Sequence, residues 1–387
     1  MGTPLLSVVI PTRERADVLA ETLAAVLSLQ MPDVEFIVCD NASTDHTQAI
    51  CQSVADPRLK YHRSETRLSM PENFERGLNL ACGEYVITMG DDDFIIEENL
   101  MLALRQAQDT GCDLVHWFRG CFYWGSYPEP LMASTFQIPT GRGHYPVDAI
   151  TMMNTAYQGL VNYFYLPGAY NSLIKRSFLG RVKRYLRGRY FPDYAVAVDC
   201  FSALTFCSLA PSVYYQDSPA VVSGISHHSN GMSVFNGGAE FARFSAELGR
   251  SSTDFLMPDE FKGYLEPRSS TALNELQIMI DFYNVRNRLL QYNLAAPPSL
   301  EALTKRKLRM LVAGQHIAID EHCELYAKYI RDAKDDTVPG EDMGTYFFNL
   351  WSIPFPQVYA ARFETLEVTA RHMTAHLLSI GFNKAAA

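Results

Sequence analysis

"YVITMGDDDFIIEENL", Tyr85 to Leu100, runs an apolar stretch that reads as a buried strand straight into three consecutive aspartates. Adjacent carboxylates repel and raise one another's pKa unless positive charge sits among them, and the usual source of that charge is a divalent cation. The strand is followed by EENLMLALRQAQDTG, whose apolar spacing predicts a helix ending at Gly111. Strand, acidic turn and helix together make one βα unit.

The same unit recurs upstream. "LLSVVI", Leu5 to Ile10, is a β-branched run closed by Pro11, and Val18, Leu19, Leu23, Val26 and Leu27 follow at helical spacing. "VEFIVCD", Val34 to Asp40, is a second strand, with Ser43 and Thr44 as N-cap candidates for the next helix. "LKYHR" is a short third strand, a helix spans about Pro71 to Leu80, and "DLVHWF" is the strand after the acidic unit. This alternation predicts an α/β fold with a mostly parallel sheet flanked by helices, whose ligands sit beyond the carboxyl ends of the strands. The residues there are Pro11, Thr12 and Arg13, then Asp40 and Asn41, then Arg63 to Arg67, then Gly90 to Asp93.

Bulk properties narrow the class. The 387 residues, 48% of them hydrophobic, suit a main domain of about 200 to 250 residues with a smaller second unit. A net charge of -10 and a pI near 5.5 argue against nucleic acid as a partner. No apolar run reaches about 18 residues. The start "MGTPLLSVVIPT" lacks a secretory signal, and Leu6 stands where a myristoylation motif needs Ser or Thr. These features predict a cytoplasmic protein, with the inner face of a membrane as its outer limit. The eight cysteines show no C-x-x-C pair and read as reduced, packed thiols.

The ligand follows from what the first turn lacks. "PTRERAD" contains no glycine, which removes the dinucleotide fingerprint, the P-loop and the glycine-rich loop of a sugar-nucleotide pyrophosphorylase. Asp40 can accept from a base N–H or from ribose hydroxyls, while a cation on the aspartate run neutralises a diphosphate. Hard oxygen ligands select Mg²⁺ or Mn²⁺.

"SVVIPTRERADVLAETLAAVLSL", "EFIVCDNASTDHT" and "ACGEYVITMGDDD", in this order, resemble the family 2 glycosyltransferases, inverting enzymes of the GT-A fold that take sugar from a nucleotide-sugar donor. The resemblance covers Leu5 to Leu104 closely and continues more loosely to Ser233. It implies nucleotide contacts from Pro11, Thr12, Arg13, Asp40, Asn41, Arg67 and Asp91, with Asp40 on the base ring and Asp91 on the ribose side. It implies a metal on Asp92, with Asp93 as the alternate ligand because Gly90 stands where many members carry aspartate. The segment "SGISHHSNGMS" resembles one that closes over metal and diphosphate, which puts His227 and His228 among the metal contacts. A uridine donor is favoured, since Asp40 can accept from a pyrimidine N3–H.

An inverting displacement needs a general base on the acceptor side. Asp193, in "YFPDYAVAVDCFSAL", is read as a helix N-terminal residue in that role, against the alternative of a simple N-cap, and Asp199 as structural. Tyr163, Tyr165 and Tyr170 are read as acceptor contacts or as core packing. The expected activity is a metal-dependent hexosyl- or N-acetylhexosaminyltransfer to a glycan, lipid-linked or protein acceptor. A nucleotidyltransferase and a non-catalytic nucleotide- or glycan-binding protein are the alternatives.

The expected organisation is a catalytic domain over residues 1–253, with a donor half to about residue 112 and an acceptor half after it, then a helical region over 254–387. In that region "QVYAARFETLEVTARHMTAHLLSIGF" carries helical periodicity, as do two earlier segments. "KRKLR", Lys305 to Arg309, is read as a solvated face or a contact to anionic lipid, which leaves peripheral membrane contact open. "YFFNLWSIPFP" is read as a homodimer interface, an acceptor groove or internal packing.

Overall fold

The computed structural model describes residues 2–128, 130–158, 161–193, 195, 197–229, 270–292, 294, 353, 357–365 and 367–380. The predicted alternation opens the chain: β1 (Leu6–Thr12), α1 (Ala16–Leu27), β2 (Val34–Asp40), α2 (Thr47–Ser53), β3 (Leu59–Arg63), α3 (Met70–Leu80), β4 (Tyr85–Thr88). The acidic turn leads into a short β5 (Phe94–Ile95) and α4 (Glu97–Thr110), which ends on a left-handed Gly111, φ 65°. The Ser69 side chain accepts from the Glu72 N–H, and Glu72 answers on the Ser69 N–H, a reciprocal cap at the start of α3.

β2, β1 and β4 run parallel, and the β1–β2 register sets Thr12 opposite Asp40. Their side chains alternate between two buried layers, as strands covered on both faces must. Leu6, Val8 and Ile10 meet Leu19, Leu23 and Val26 of α1 and Leu100 and Leu104 of α4. Val9, Ile37 and Cys39 meet Phe74 and Leu78 of α3 on the other side.

Later strands break the parallel pattern. After β6 (Leu114–Trp117), β7 (Gly120–Tyr123), β8 (Thr135–Thr140), β9 (His144–Val147) and α5 (Ala149–Tyr157) comes β10 (Ser172–Lys175), which inserts antiparallel between β4 and β6. α6 (Arg176–Tyr185), α7 (Val198–Leu209), β11 (Val213–Gln216) and β12 (Val221–Ile225) follow. The main sheet has eight strands in the order β3-β2-β1-β4-β10-β6-β11-β9. The α/β expectation therefore stands with a mixed sheet: β10 is only four residues long, too short for a periodicity of its own.

Among the described C-terminal residues, one stretch departs from the helical pattern. α8 (Ser270–Gln291) forms as expected, and Phe282, Val285 and Leu289 join the buried cluster of Phe201 and Leu204 on α7. Gln357–Arg362, expected to be helical, is instead β13, paired antiparallel with β8 at the edge of a second sheet, β13-β8-β7-β12-β5. Five of its six residues are exposed, so no apolar alternation marks it, and its pairing with β8 defines it. α9 (Ala370–Ser379) then buries Ala370, Met373 and Leu377 with Val18 of α1 and with Phe94 and Ile96 behind the acidic turn. Lys305 to Arg309 and most of "YFFNLWSIPFP" lie outside the described residues.

One buried acid joins α8 to the acceptor side. Asp281, fully buried, accepts from the Ala197 N–H at 2.8 Å at the start of α7. That donor would otherwise be an unsatisfied helix-end amide. Replacing Asp281 with Ala should lower unfolding stability by about 1–3 kcal/mol, read as a shifted denaturant midpoint. An unchanged midpoint would show that α8 does not hold this helix end.

Candidate active site

The acidic turn lies between β4 and β5, and its carboxylates are buried without being crowded onto one partner. Asp91 accepts from Thr12 Oγ1 at 2.6 Å and from Arg15 Nη1 at 2.8 Å. Asp92 Oδ2 accepts from Ser226 Oγ at 2.7 Å and Ser229 Oγ at 2.9 Å. Asp93 accepts from the Gly90 N–H at 2.6 Å on one oxygen and from the Gly224 N–H at 2.8 Å on the other. Trp124 Nε1 donates to the Asp92 carbonyl at 2.9 Å, which pins the turn from outside. Gly224 is obligatory there: a Cβ would sit 1.8 Å from the Asp92 carbonyl oxygen.

Electrostatics follow this division. Burial raises the Asp91 pKa, opposed by Arg15 and reinforced by Asp92. Burial, then the charge of Asp92, pushes Asp93 up to about 7, while its two amide donors pull the other way. Arg15 is depressed by burial but raised on balance by Asp91 and Asp92. Arg15 also donates to the His228 carbonyl, tying the segment after β12 to α1.

Asp92 Oδ1 is the only carboxylate oxygen of the run with no hydrogen bond among the described residues. A single hard oxygen fits Mg²⁺ or Mn²⁺, which take few protein carboxylates and fill their remaining positions with water and phosphate oxygens. Asp93 closes the turn through an amide on each of its oxygens, which leaves Asp92 Oδ1 as the less occupied ligand atom of the two residues. The histidines stand with a different carboxylate: Asp17, His227 and His228 bring ligand atoms within 4.8 Å of one another, a group that could hold a metal ion. His228 Nε2 lies 3.3 Å and His227 Nε2 3.8 Å from the Asp17 carboxylate in the first turn of α1, and His227 Nδ1 is 2.9 Å from Ser126 Oγ.

On the nucleotide side, Pro11, Thr12, Asp40 and Asn41 end adjacent strands. Asp40 is fully buried, accepts from the Ser43 N–H at 2.9 Å and Tyr61 OH at 2.5 Å, and lies 3.6 Å from Arg63 Nε. Asn41 spends both ends of its amide on the Leu68 backbone, at 2.7 and 2.9 Å, which shapes the loop carrying the exposed Arg67. Arg13 is half-buried just past β1.

The acceptor side differs most from expectation. Asp193 has a side chain 92% exposed and pairs with Arg189 at 3.2 Å. It precedes α7 by five residues and is neither a helix N-terminal group nor turned into the site. The acid in the first turn of α7 is Asp199, which accepts from Tyr163 OH at 3.1 Å and lies 4.0 Å from Arg119. The Arg119 guanidinium stands over Phe164 at 5.0 Å and Tyr170 at 5.4 Å. The Tyr170 pKa is raised by burial first, then by the charge of Asp199, then by that of Asp93. Tyr165 packs edge-on against Phe118 at 5.1 Å.

Arg15, Arg119 and Ser226 are partners of the site acids that sequence reading passes over, and Asp199, read as structural, is the acid that meets Tyr163 and Arg119. Asp199 had a visible signal, a lone acid inside the apolar run "AVAVDCFSAL". The halves are linked by α3. Asn73 donates to the Cys39 carbonyl at the end of β2, while Glu75 accepts from the Tyr190 and Phe191 N–H groups, each at 2.7 Å, in the approach to α7.

Residues 7–159 match the family model described as glycosyl transferase family 2. A GalNAc(5)-diNAcBac-PP-undecaprenol beta-1,3-glucosyltransferase of Campylobacter jejuni is 31% identical over 121 residues, 30% of this chain and 38% of the relative. The abequosyltransferase RfbV of Salmonella typhimurium is 30% identical over 127 residues, 29% of this chain and 38% of the relative. A PGL/p-HBAD biosynthesis glycosyltransferase of Mycobacterium bovis is 28% identical over 209 residues, 52% of this chain and 72% of the relative. The chain thus spans well under half the length of the first two. Among solved structures, S. aureus TarS 1-349 in complex with UDP-GlcNAc aligns with a TM-score of 0.44 at 14% identity, over 97% of this chain and 92% of that one. The mannosyltransferase PcManGT of Pyrobaculum calidifontis, in complex with GDP-Man and Mn2+, aligns with a TM-score of 0.42 at 17% identity, over 86% and 88%. The match over residues 7–159 covers β1 through α5 and the acidic turn, so this part of the chain is similar to glycosyl transferase family 2.

Proposed function

We propose that this protein transfers a sugar, with inversion, from a nucleoside-diphosphate-sugar to an acceptor hydroxyl, with a UDP-sugar as the favoured donor. The observation that carries the reading is Asp92, buried in the turn after β4 with one carboxylate oxygen that takes no hydrogen bond among the described residues.

Pro11, Thr12 and Asp40, at the ends of β1 and β2, bind the nucleoside. Arg15 and Thr12 hold Asp91 in place for the ribose. Asp92 holds Mg²⁺ or Mn²⁺, which when bound stabilises the negative charge of the departing diphosphate. Asp199 is the base, in place of Asp193. Tyr163 and Arg119 orient it, and its carboxylate takes the acceptor hydroxyl proton as that oxygen attacks the anomeric carbon. The bond from the anomeric carbon to the diphosphate oxygen breaks as the new glycosidic bond forms, and the nucleoside diphosphate leaves with the electron pair.

The acceptor class rests on the relatives' names. One acts on an undecaprenol-linked glycan and another in PGL/p-HBAD biosynthesis, which supports a lipid-linked or glycolipid acceptor here. Among the described residues no helix is long and apolar enough to cross a membrane, so a lipid-linked acceptor would be met at a membrane surface.

Thermal unfolding with UDP, dTDP, GDP and CDP, with and without Mn²⁺, tests the donor half. One diphosphate at 100 times its dissociation constant should stabilise the fold by about 2.7 kcal/mol, only with Mn²⁺, and Asp92→Ala should abolish the gain. Stabilisation that persists without metal or in the variant would remove the cation from Asp92. Turnover tests the base: Asp199→Asn should fall at least about a hundredfold with donor binding retained, while Asp193→Asn stays within about twofold. A collapse in Asp193→Asn alone would return the role to that residue. Release of pyrophosphate in place of nucleoside diphosphate would make the protein a nucleotidyltransferase.

A further inference from the structure

Away from the donor turn, α6 and the residues after it carry the densest positive charge in the chain. "KRSFLGRVKRYLRGR", Lys175 to Arg189, holds seven cations and no Asp or Glu, within a protein of net charge -10. α6 buries Phe178, Leu179 and Val182. At 100° per residue, the positions of Arg176 and Arg184 fall on the opposite face, Arg187 follows just past the helix end, and all three are exposed. Arg181 is neutralised by Asp113, and Arg189 lies between Glu75 and Asp193. Among the described residues no carboxylate pairs with Arg176, Arg184 or Arg187.

Apolar side chains stand exposed beside this stripe. Leu290 is 48%, Tyr292 37% and Leu294 40% exposed. Arg187 Nε donates to Tyr292 OH at 3.0 Å, and the Tyr292 ring packs on Tyr185 at 4.9 Å, so the end of α8 lies against the end of α6. Between them opens a cleft of about 200 Å³ whose lining includes Arg187, Arg189, Arg288, Tyr185 and Tyr292.

We propose that this face, the outer stripe of α6 with Leu290, Tyr292 and Leu294, docks on an anionic phospholipid bilayer. Charge complementarity requires a polyanion, and the exposed leucines select among polyanions. A soluble phosphate or a nucleic acid gains nothing from them, whereas a bilayer takes the arginines at its headgroups and the apolar side chains at the acyl boundary. The negative balance of the rest of the chain is repelled by the same surface, so the attraction orients the protein with this face down. The inference goes beyond the transferase reading and does not depend on it.

Sedimentation of the full chain with vesicles tests it. Binding is expected to phosphatidylcholine mixed with phosphatidylglycerol and not to phosphatidylcholine alone, and should weaken as salt is raised. The triple variant Arg176→Glu, Arg184→Glu, Arg187→Glu should lose on the order of a hundredfold in partition constant. Leu290→Ser with Leu294→Ser should lose binding at fixed charge. An unchanged melting temperature shows that the charge variant is folded; should it be destabilised, the salt series on the native chain and the leucine pair decide. Equal binding to both vesicle types, or full binding by folded variants, would overturn the proposal. So would protection by inorganic pyrophosphate with no vesicle binding, which would assign the face to a soluble anion. None of these readouts requires turnover.

Discussion

Three adjacent carboxylates buried in one turn are the constraint around which this domain is arranged. Each would be costly to bury without partners, and their mutual repulsion adds to that cost. The fold separates them by direction: Asp91 to β1 and α1, Asp92 to the serines after β12, and Asp93 to two backbone amides. One oxygen, Asp92 Oδ1, is left over. The turn thus brings together β1 and the residues at and just after β12, and the close approach of Gly224 is part of the same closure.

A second constraint is the spacing between donor and acceptor sides, and α3 helps to set it. It is capped at Ser69, bonded through Asn73 to the end of β2 and through Glu75 to the approach to α7. Asp281 from α8 secures the start of α7 from the other side. The residues beyond the matched family region therefore hold the helix that carries Asp199, and α9 backs the acidic turn through Val18 and Phe94. A tail read as a separate helical unit supplies buried contacts to both sides of the site.

The parts of the fold visible in the sequence are those fixed by local chemistry. β-branched runs, capping residues and 3.6-residue spacing mark β1 through α4, and the aspartates stand at a strand end as expected. The glycine-free first turn supplies Arg15, which reaches Asp91. β13 was illegible because an exposed edge strand shows no apolar alternation, and β10 because four residues hold too little pattern.

Sequence by itself determined the order of elements from β1 to α4, the resemblance to the family 2 glycosyltransferases and the four strand ends where ligands are expected. Only the tertiary structure decided where each acid faces. Asp193 and Asp199 are indistinguishable as residue types, yet one faces solvent and the other faces Tyr163 and Arg119. Asp92 and Asp93 are neighbours, yet one keeps an oxygen and the other spends both. The reason is range: helix and strand signals arise within a few residues, whereas a carboxylate's role is set by partners such as Ser226 and Gly224, 134 and 131 positions away.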